Sequence, residues 1–313
     1  MRKIKYLIFA SAICGIVICC SLACQATEIP LIKVARTNGL QMLSANSFGT
    51  RGIAFAFKDN SRVFTFKEVL MPLGFPVTRR YGRYYIDSSD YKYHIQPLLP
   101  TTKHRHKKLR IIALDAGHGG EDGGTTAQWD KLQEKFLTMD MCLRLAKLLE
   151  KNGYRVILTR SQDKKVPLPE RTQIANRSKA DLFISIHFNS APSASASGIE
   201  TFTLTPSTQA SSYQASSRNA HRNFIGNAFD CLNIVIGYCL QSSLTKKTSA
   251  IDRGVKHSTF VVLRDLKCPG ILVECGFLSN REECKKIASS AYRDILAQSI
   301  FDGIVKFNDL LSD

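Results

Sequence analysis

The sequence predicts an α/β fold: an open, mostly parallel sheet with helices on both faces, preceded by a small α+β N-terminal module. Three observations carry this. From Arg110 onward, short apolar runs of strand length alternate with longer stretches of helical periodicity. The runs at 110–114, 182–187 and 271–274 are apolar on both faces, as parallel strands covered on both sides must be. Upstream the pattern differs, with short alternating segments that end at a polar, basic stretch, 101–108.

Taken in order, residues 1–23 read as a signal peptide or anchor. Met1–Lys5 is positively charged, and the 17 residues from Leu7 to Ala23 carry no charge. As a helix these would span roughly 25 Å, a little short of a bilayer core, so a cleaved leader is expected over a retained anchor. Ser21 and Ala23 occupy the two small-residue positions that a signal peptidase reads. Cys24 is a candidate for lipidation, although Ser21 stands where a leucine would be expected.

Residues 24–102 form the N-terminal module. Residues 27–60 show little pattern, Arg62–Phe66 alternates as a strand, and Phe66–Gly74 reads as a short helix closed by glycine. Two β-like segments, 77–79 and 84–86, flank Tyr81-Gly82. Residues 103–109 read as a solvated linker, and 110–313 as the main domain. There the strands are expected at 110–114, 154–159, 182–187, 199–204 and 271–274. Helices are expected at 134–151, 170–179, across much of 214–246, and at 292–311. The 134–151 helix is the clearest, with Leu137, Met141, Leu145, Leu148 and Leu149 on one face and Asn152-Gly153 closing it.

Composition narrows the partners. With 44 % hydrophobic and 22 % charged residues the chain is globular rather than disordered. A formal charge of +17 favours polyanionic surroundings without choosing among them. Of ten cysteines, Cys14, Cys19, Cys20 and Cys24 belong to the leader region. The others (Cys142, Cys231, Cys239, Cys268, Cys275 and Cys284) contain no C-x-x-C pair, which argues against a cysteine metal site. Cys142 and Cys275 lie in apolar stretches and read as core residues.

Three apolar strands end in groups that can bind a metal or move a proton. The first runs through Leu114 and Asp115 into Gly117-His118-Gly119-Gly120, the second ends at His187-Phe188-Asn189, and the third at Glu274-Cys275-Gly276. In open α/β sheets, sites form beyond the carboxyl ends of the strands, so this edge would gather His118, His187 and Glu274. Two imidazoles and a carboxylate with one open position make a catalytic zinc arrangement, in which the water pKa falls towards ~7. A second carboxylate must then shuttle the proton to the leaving group. Glu121 and Glu134 are both candidates for the ligand carboxylate, and spacing alone does not choose. Glu274 fits the second, non-ligand role.

These blocks resemble the zinc-dependent N-acetylmuramoyl-L-alanine amidases of bacterial cell walls, amidase family 3. The resemblance covers roughly 110–308 and rests on LDAGHGGEDGG at 114–124, EK at 134–135 and VILTRSQDKKVPLPERTQIANRSKADLFISIHFN at 156–189. GIETF at 198–202, RGVK at 253–256, FVVLRD at 260–265 and PGILVECGFLSNREE at 269–283 continue it. It implies that His118, Glu134 and His187 bind Zn2+, that Glu274 is the catalytic carboxylate, and that Glu121 is a loop residue. Ala116 and Gly123 depart from the family's usual prolines, which loosens the loop without removing a ligand.

The resemblance further implies peptidoglycan as substrate and an exported protein of the periplasm or cell envelope, acting in wall remodelling or daughter-cell separation. No nucleic-acid partner is expected, and membrane contact only through the leader or a lipidated Cys24. The module at 24–102 becomes a candidate wall-binding unit. The stretch 204–253 is longer than in compact members, and in some relatives an extra helix there covers the site until a partner withdraws it. Self-inhibition by 206–246, relieved by a protein activator, is the corresponding expectation.

Other residues carry weaker expectations. Asp115 is a candidate to orient His118, and Asn189 to hold substrate or to shape a turn. Arg160, Arg171 and Arg177 are candidates for substrate contact or buried ion pairs, while His221 and His257 are expected at the surface. Two rival chemistries remain. One is a zinc carboxypeptidase using His118, Glu121 and His187. The other is a penicillin-sensitive serine carboxypeptidase, suggested by the S-x-x-K tetrads Ser161–Lys164 and Ser243–Lys246.

Overall fold

The computed structural model describes residues 28–312 apart from 51, 130 and 217–222. The leader, Cys24 and His221 lie outside the described residues.

The N-terminal module opens with β1 (Glu28–Pro30) and α1 (Leu31–Thr37). An antiparallel meander follows, made of β2 (Gln41–Ser44), β3 (Ser47–Thr50), β4 (Ile53–Phe57), β5 (Val63–Phe66) and β6 (Val69–Pro72). Alternation puts Phe48, Phe55, Phe57, Phe64 and Phe66 on one buried face, with ring centroids 4.5–6.2 Å apart. The expected helix at 66–74 is instead a hairpin. Lys67 and Glu68 both take positive φ (46° and 72°), the two-residue turn that returns β6 against β5. Tyr81-Gly82 makes a similar turn between β7 (Thr78–Arg80) and β8 (Arg83–Asp87), and β8 pairs with β1 to complete a second sheet. A short α2 (Ser88–Asp90) continues in helical turns to Leu98.

Residues 103–109 are strapped down. β9 (His104–Arg105) pairs in parallel with the C-terminal β16 (Leu311–Ser312), Lys107 forms an ion pair with Asp181, and Leu109 is buried.

In the main domain, β10 (Ile111–Ala116), α3 (Glu134–Lys151), β11 (Arg155–Leu158), α4 (Leu168–Arg177) and β12 (Leu182–Asn189) follow the expected alternation. Then come β13 (Ile199–Leu204), α5 (Asp230–Thr248), β14 (Asp252–Ser258), α6 (Val261–Arg264), β15 (Gly270–Phe277), α7 (Arg281–Ala288) and α8 (Ser290–Leu310). The six strands lie in the order β11-β10-β12-β15-β13-β14, parallel except where β13 meets β15. The loop 190–198 is too short for a crossover helix, so β13 returns in the opposite direction. Helices α3, α5 and α8 cover one face; α4 and α6 cover the other through Ala113, Ala175, Phe183, Phe202 and Leu272. Among the described residues, no helix is long and apolar enough to cross a membrane.

Helix α5 is buried on nearly every side, against β13, β14 and α8. This explains its missing amphipathic pattern. It does not lie over the sheet edge, so among the described residues the expected covering helix in 206–246 is a core helix. His257 corrects another expectation: it is 1 % exposed on β14, its ring 4.6 Å from that of His94. The N-terminal module packs on this edge strand, and that packing buries it. The Leu70 amide donates to Asp252 Oδ2 at 2.8 Å, and Phe66 meets Tyr238. Both modules share one continuous apolar core.

Candidate metal centre

The carboxyl edge of the parallel strands opens into a pocket of about 620 Å3, lined among others by His118, Glu134, Arg171, His187, Asn189 and Glu274. β10 delivers His118, β12 delivers His187 and β15 delivers Glu274; His187 and Glu274 are directly opposite in register. Glu134 is the first residue of α3, where the helix dipole favours a carboxylate.

His118, Glu134 and His187 each offer a ligand atom, and these atoms lie within 4.8 Å of one another. Glu134 Oε1 sits 2.9 Å from His187 Nδ1 and 3.1 Å from His118 Nε2, and it accepts the Phe188 amide at 3.1 Å. Glu134 Oε2 accepts the Thr125 amide at 2.9 Å. The imidazoles meet edge to face, with centroids 4.9 Å apart. Two glycines make this approach possible. A Cβ on Gly117 would overlap the His187 ring, and one on Gly124 would lie 2.6 Å from both Glu134 and His118.

The electrostatics call for a cation. Burial opposes charge on Glu134, yet hydrogen bonds from His118 and His187 hold its carboxyl well below the usual range. Burial likewise opposes protonation of His118, but Glu134 and Asp122 raise it to about 9. His187 is raised too, by Glu134 and Glu274 against its own burial. Two nitrogens and one oxygen, preorganised and drawn towards positive charge, fit a divalent ion such as zinc.

Glu274 is not part of this triad. Its Oε2 is enclosed without a hydrogen-bond partner, and burial raises its pKa to about 7, with the charges of Glu134 and Glu200 adding to the rise and His187 opposing it.

Around the triad, the structure sorts the remaining candidates. Glu121 points outward, its side chain 87 % exposed and paired with Lys165, so the His118–Glu121–His187 set does not assemble. Asp115 does not touch His118. It accepts Thr159, Ser185 and Arg171, and Arg171 in turn donates to the carbonyls of Ala116 and His118. Arg160 ties the same loop to α3 through the carbonyls of Ala116, Gly117 and Lys135. Arg177 is exposed and bonded to Gln173. Asn189 donates to Glu200 at 2.7 Å.

Sequence reasoning missed Asp122, whose Oδ2 accepts His118 Nδ1 at 2.9 Å and fixes the ring. The available signal was the four-residue spacing of His118 and Asp122; in the structure His118 takes a left-handed backbone (φ 63°) within this glycine-rich turn. Neither S-x-x-K tetrad joins the site: Ser161 is exposed, and Ser243 is buried against Lys306. Among the described residues Cys231 is exposed, and Cys142, Cys239, Cys268, Cys275 and Cys284 are buried.

Fold and centre together define an open α/β protein with a His–Glu–His cluster beside an unengaged carboxylate, the arrangement found in metal-dependent hydrolases. The chain belongs to the N-acetylmuramoyl-L-alanine amidase family, which matches residues 112–306. It is 33 % identical over 217 residues to the amidase AmiC of Escherichia coli O6:H1, covering 62 % of this chain and 52 % of AmiC. To the amidase LytC of Bacillus subtilis strain 168 it is 34 % identical over 196 residues, covering 63 % of this chain and 35 % of LytC. The chain thus spans about half or less of the length of these two relatives.

Solved structures agree. An N-acetylmuramoyl-L-alanine amidase from Clostridium difficile 630 aligns at TM-score 0.55 and 31 % identity, over 65 % of this chain and 98 % of that one. The CwlD amidase of Clostridioides difficile, solved in complex with the GerS lipoprotein, aligns at TM-score 0.54 and 29 % identity over 63 % and 98 %.

Proposed function

We propose that the chain hydrolyses the amide bond between N-acetylmuramic acid and the first L-alanine of the peptidoglycan stem, in wall remodelling or daughter-cell separation. The observation that carries this is the His118–Glu134–His187 cluster with the unpartnered Oε2 of Glu274 beside it, in a chain of this family. His118, Glu134 and His187 would hold Zn2+, which when bound supplies Lewis acidity towards the scissile carbonyl and acidifies the attacking water.

The chain's own residues supply the rest. Glu274 takes a proton from the water as its oxygen adds to the carbonyl carbon, then returns that proton to the nitrogen as the C–N bond breaks. Asp122 holds the His118 ring through Nδ1, and Asp115, through Arg171, holds the backbone that carries it. An exported location, in the periplasm or cell envelope, follows from this substrate together with the leader-like residues 1–23. The complex of CwlD with the GerS lipoprotein supports a protein partner, for which activation is the role proposed here. The N-terminal module packs on the main domain across β6 and β14, which supports a role beside the site.

The test is digestion of purified peptidoglycan with and without a zinc chelator, read by mass spectrometry. Free stem peptides beginning at L-alanine, lost on chelation and in Glu274→Ala, are expected. Stems shortened only at their carboxyl ends would overturn the reading.

A further inference from the structure

The sheet's edge strand β14 is covered by β6, and between them lies a second cleft of about 160 Å3. Arg62, Leu70, Tyr213, Arg253 and Lys256 line it. Its charge is unbalanced. Arg253 Nε donates to Glu200 Oε2 at 2.9 Å, and Lys256 Nζ pairs with the same oxygen. Arg62 donates to the carbonyls of Leu73, Ala210 and Gln214 and forms no ion pair among the described residues. The nearby Asp252 accepts from the Leu70 and Gly254 amides and from Gln241. Arg253 and Lys256 therefore share one carboxylate, Arg62 feels the charge of Asp90 without an ion pair among the described residues, and Asp252 is taken up by neutral donors.

This cleft adjoins the catalytic pocket. Glu200 lies directly opposite Glu274 in register, and Asn189, which lines the pocket, donates to Glu200. Lys256 also sits over the Phe202 ring, which packs on Phe260, another wall of the pocket. Two strand steps separate β15 from β14, roughly 10 Å, the length of about three extended residues. Tyr213 donates to Glu200 at 3.4 Å and accepts Lys256 at 2.7 Å, so the loop gripped by Arg62 also shapes the cleft.

We propose that this cleft is a subsite for a carboxylate of the stem peptide beyond the first alanine, with the N-terminal module as its outer wall. The inference rests on the amidase reading. Lys256 keeps a third N–H and Arg253 an outer terminal nitrogen for an incoming carboxylate, which joins Glu200 in neutralising these two cations beside Arg62 in the same lining. Leu70 and the edge of β6 close the far side. The module then takes part in substrate selection by reading acidic against amidated stems.

The test compares two muramoyl tripeptides whose carboxylates after L-alanine are all free or all amidated. The intact chain is expected to cleave the free acid with kcat/KM about tenfold higher, the difference residing in KM. Lys256→Met and Arg62→Met should each bring the ratio between the two substrates to within about twofold. A structural role alone would lower both substrates together and keep the ratio, which would overturn the proposal, as would equal KM values in the intact chain. Calorimetric binding of the two free tripeptides separates this from the reaction. Tighter binding of the acid, lost in Lys256→Met, with no cleavage of either substrate would sustain the subsite and sink the amidase reading. Cleavage of both without discrimination would do the reverse.

Discussion

Glu200 and Glu274 face each other across neighbouring strands, and their surroundings give them opposite roles. Glu200 is 2 % exposed and receives Asn189, Tyr213, Arg253 and Lys256, while Glu274 Oε2 has no partner. One carboxylate is tied to fixed donors. The other is raised by burial to about 7, where it can both accept and return a proton.

Glu274→Gln should therefore lower kcat by about 10²–10⁴-fold, the usual contribution of a general acid–base group. Zinc bound per chain, measured by elemental analysis, should stay at the unaltered level, because Glu274 lies outside the triad. Loss of metal together with activity would instead place Glu274 among the ligands.

Asp115→Asn should be costly to the fold. Asp115 and Arg171 are 1 % and 3 % exposed and form a 2.8 Å ion pair, and removing one partner strands the other charge. Breaking such a pair costs about 3–5 kcal/mol. Urea unfolding should show this, and metal binding should weaken too, because Arg171 holds the His118 carbonyl. An unchanged unfolding midpoint would show that the pair contributes nothing net.

Much of this was legible in the sequence because the main domain repeats a simple pattern. The α3 and β13 boundaries coincide with the expected ones, and the apolar runs of β10, β12 and β15 deliver the residues that their ends promised. Where reading failed, long-range packing decided the outcome. Val69–Pro72 became a strand through pairing with β5, His257 was buried by a module distant in sequence, and α5 lost its polar face to neighbours on all sides. Glu121 and Glu134 could not be separated by spacing. Only the folded loop turns Glu121 outward and sets Glu134 beneath both imidazoles.

Asp122→Asn should weaken metal binding by about 10–100-fold, the usual effect of removing a carboxylate that orients a histidine ligand. Asp122 touches His118 through Nδ1 and is half exposed, so little loss of stability should accompany it. Competition with a chromogenic chelator measures the affinity. Unchanged affinity would mean that the glycine turn alone fixes the ring.

The buried histidines at the joint between the modules should oppose folding on acidification. His94 and His257 are buried, each with an Nδ1 that has no partner, and His94 Nε2 meets Gln209 at 2.8 Å. Burial lowers His94 to about 4 and His257 well below its usual value, and Arg62 lowers both. Unfolded histidines titrate near pH ~6.5, so below that value the unfolded chain takes up protons that the folded one refuses. Their contribution is thus complete above pH ~6.5 and shrinks as the pH falls towards 4. Asp90 acts in the opposite sense. Burial raises it to about 7, so its effect favours the fold as the pH falls, and it offsets one of the two histidines. Glu274, raised to about 7 by burial, acts in the same sense as Asp90, so the histidine contribution is read as a difference. On going from pH 7.5 to pH 5 the urea midpoint should shift less favourably in the unaltered chain than in His257→Leu, which removes one buried imidazole. The same shift in both proteins would show that His257 contributes nothing to the pH dependence.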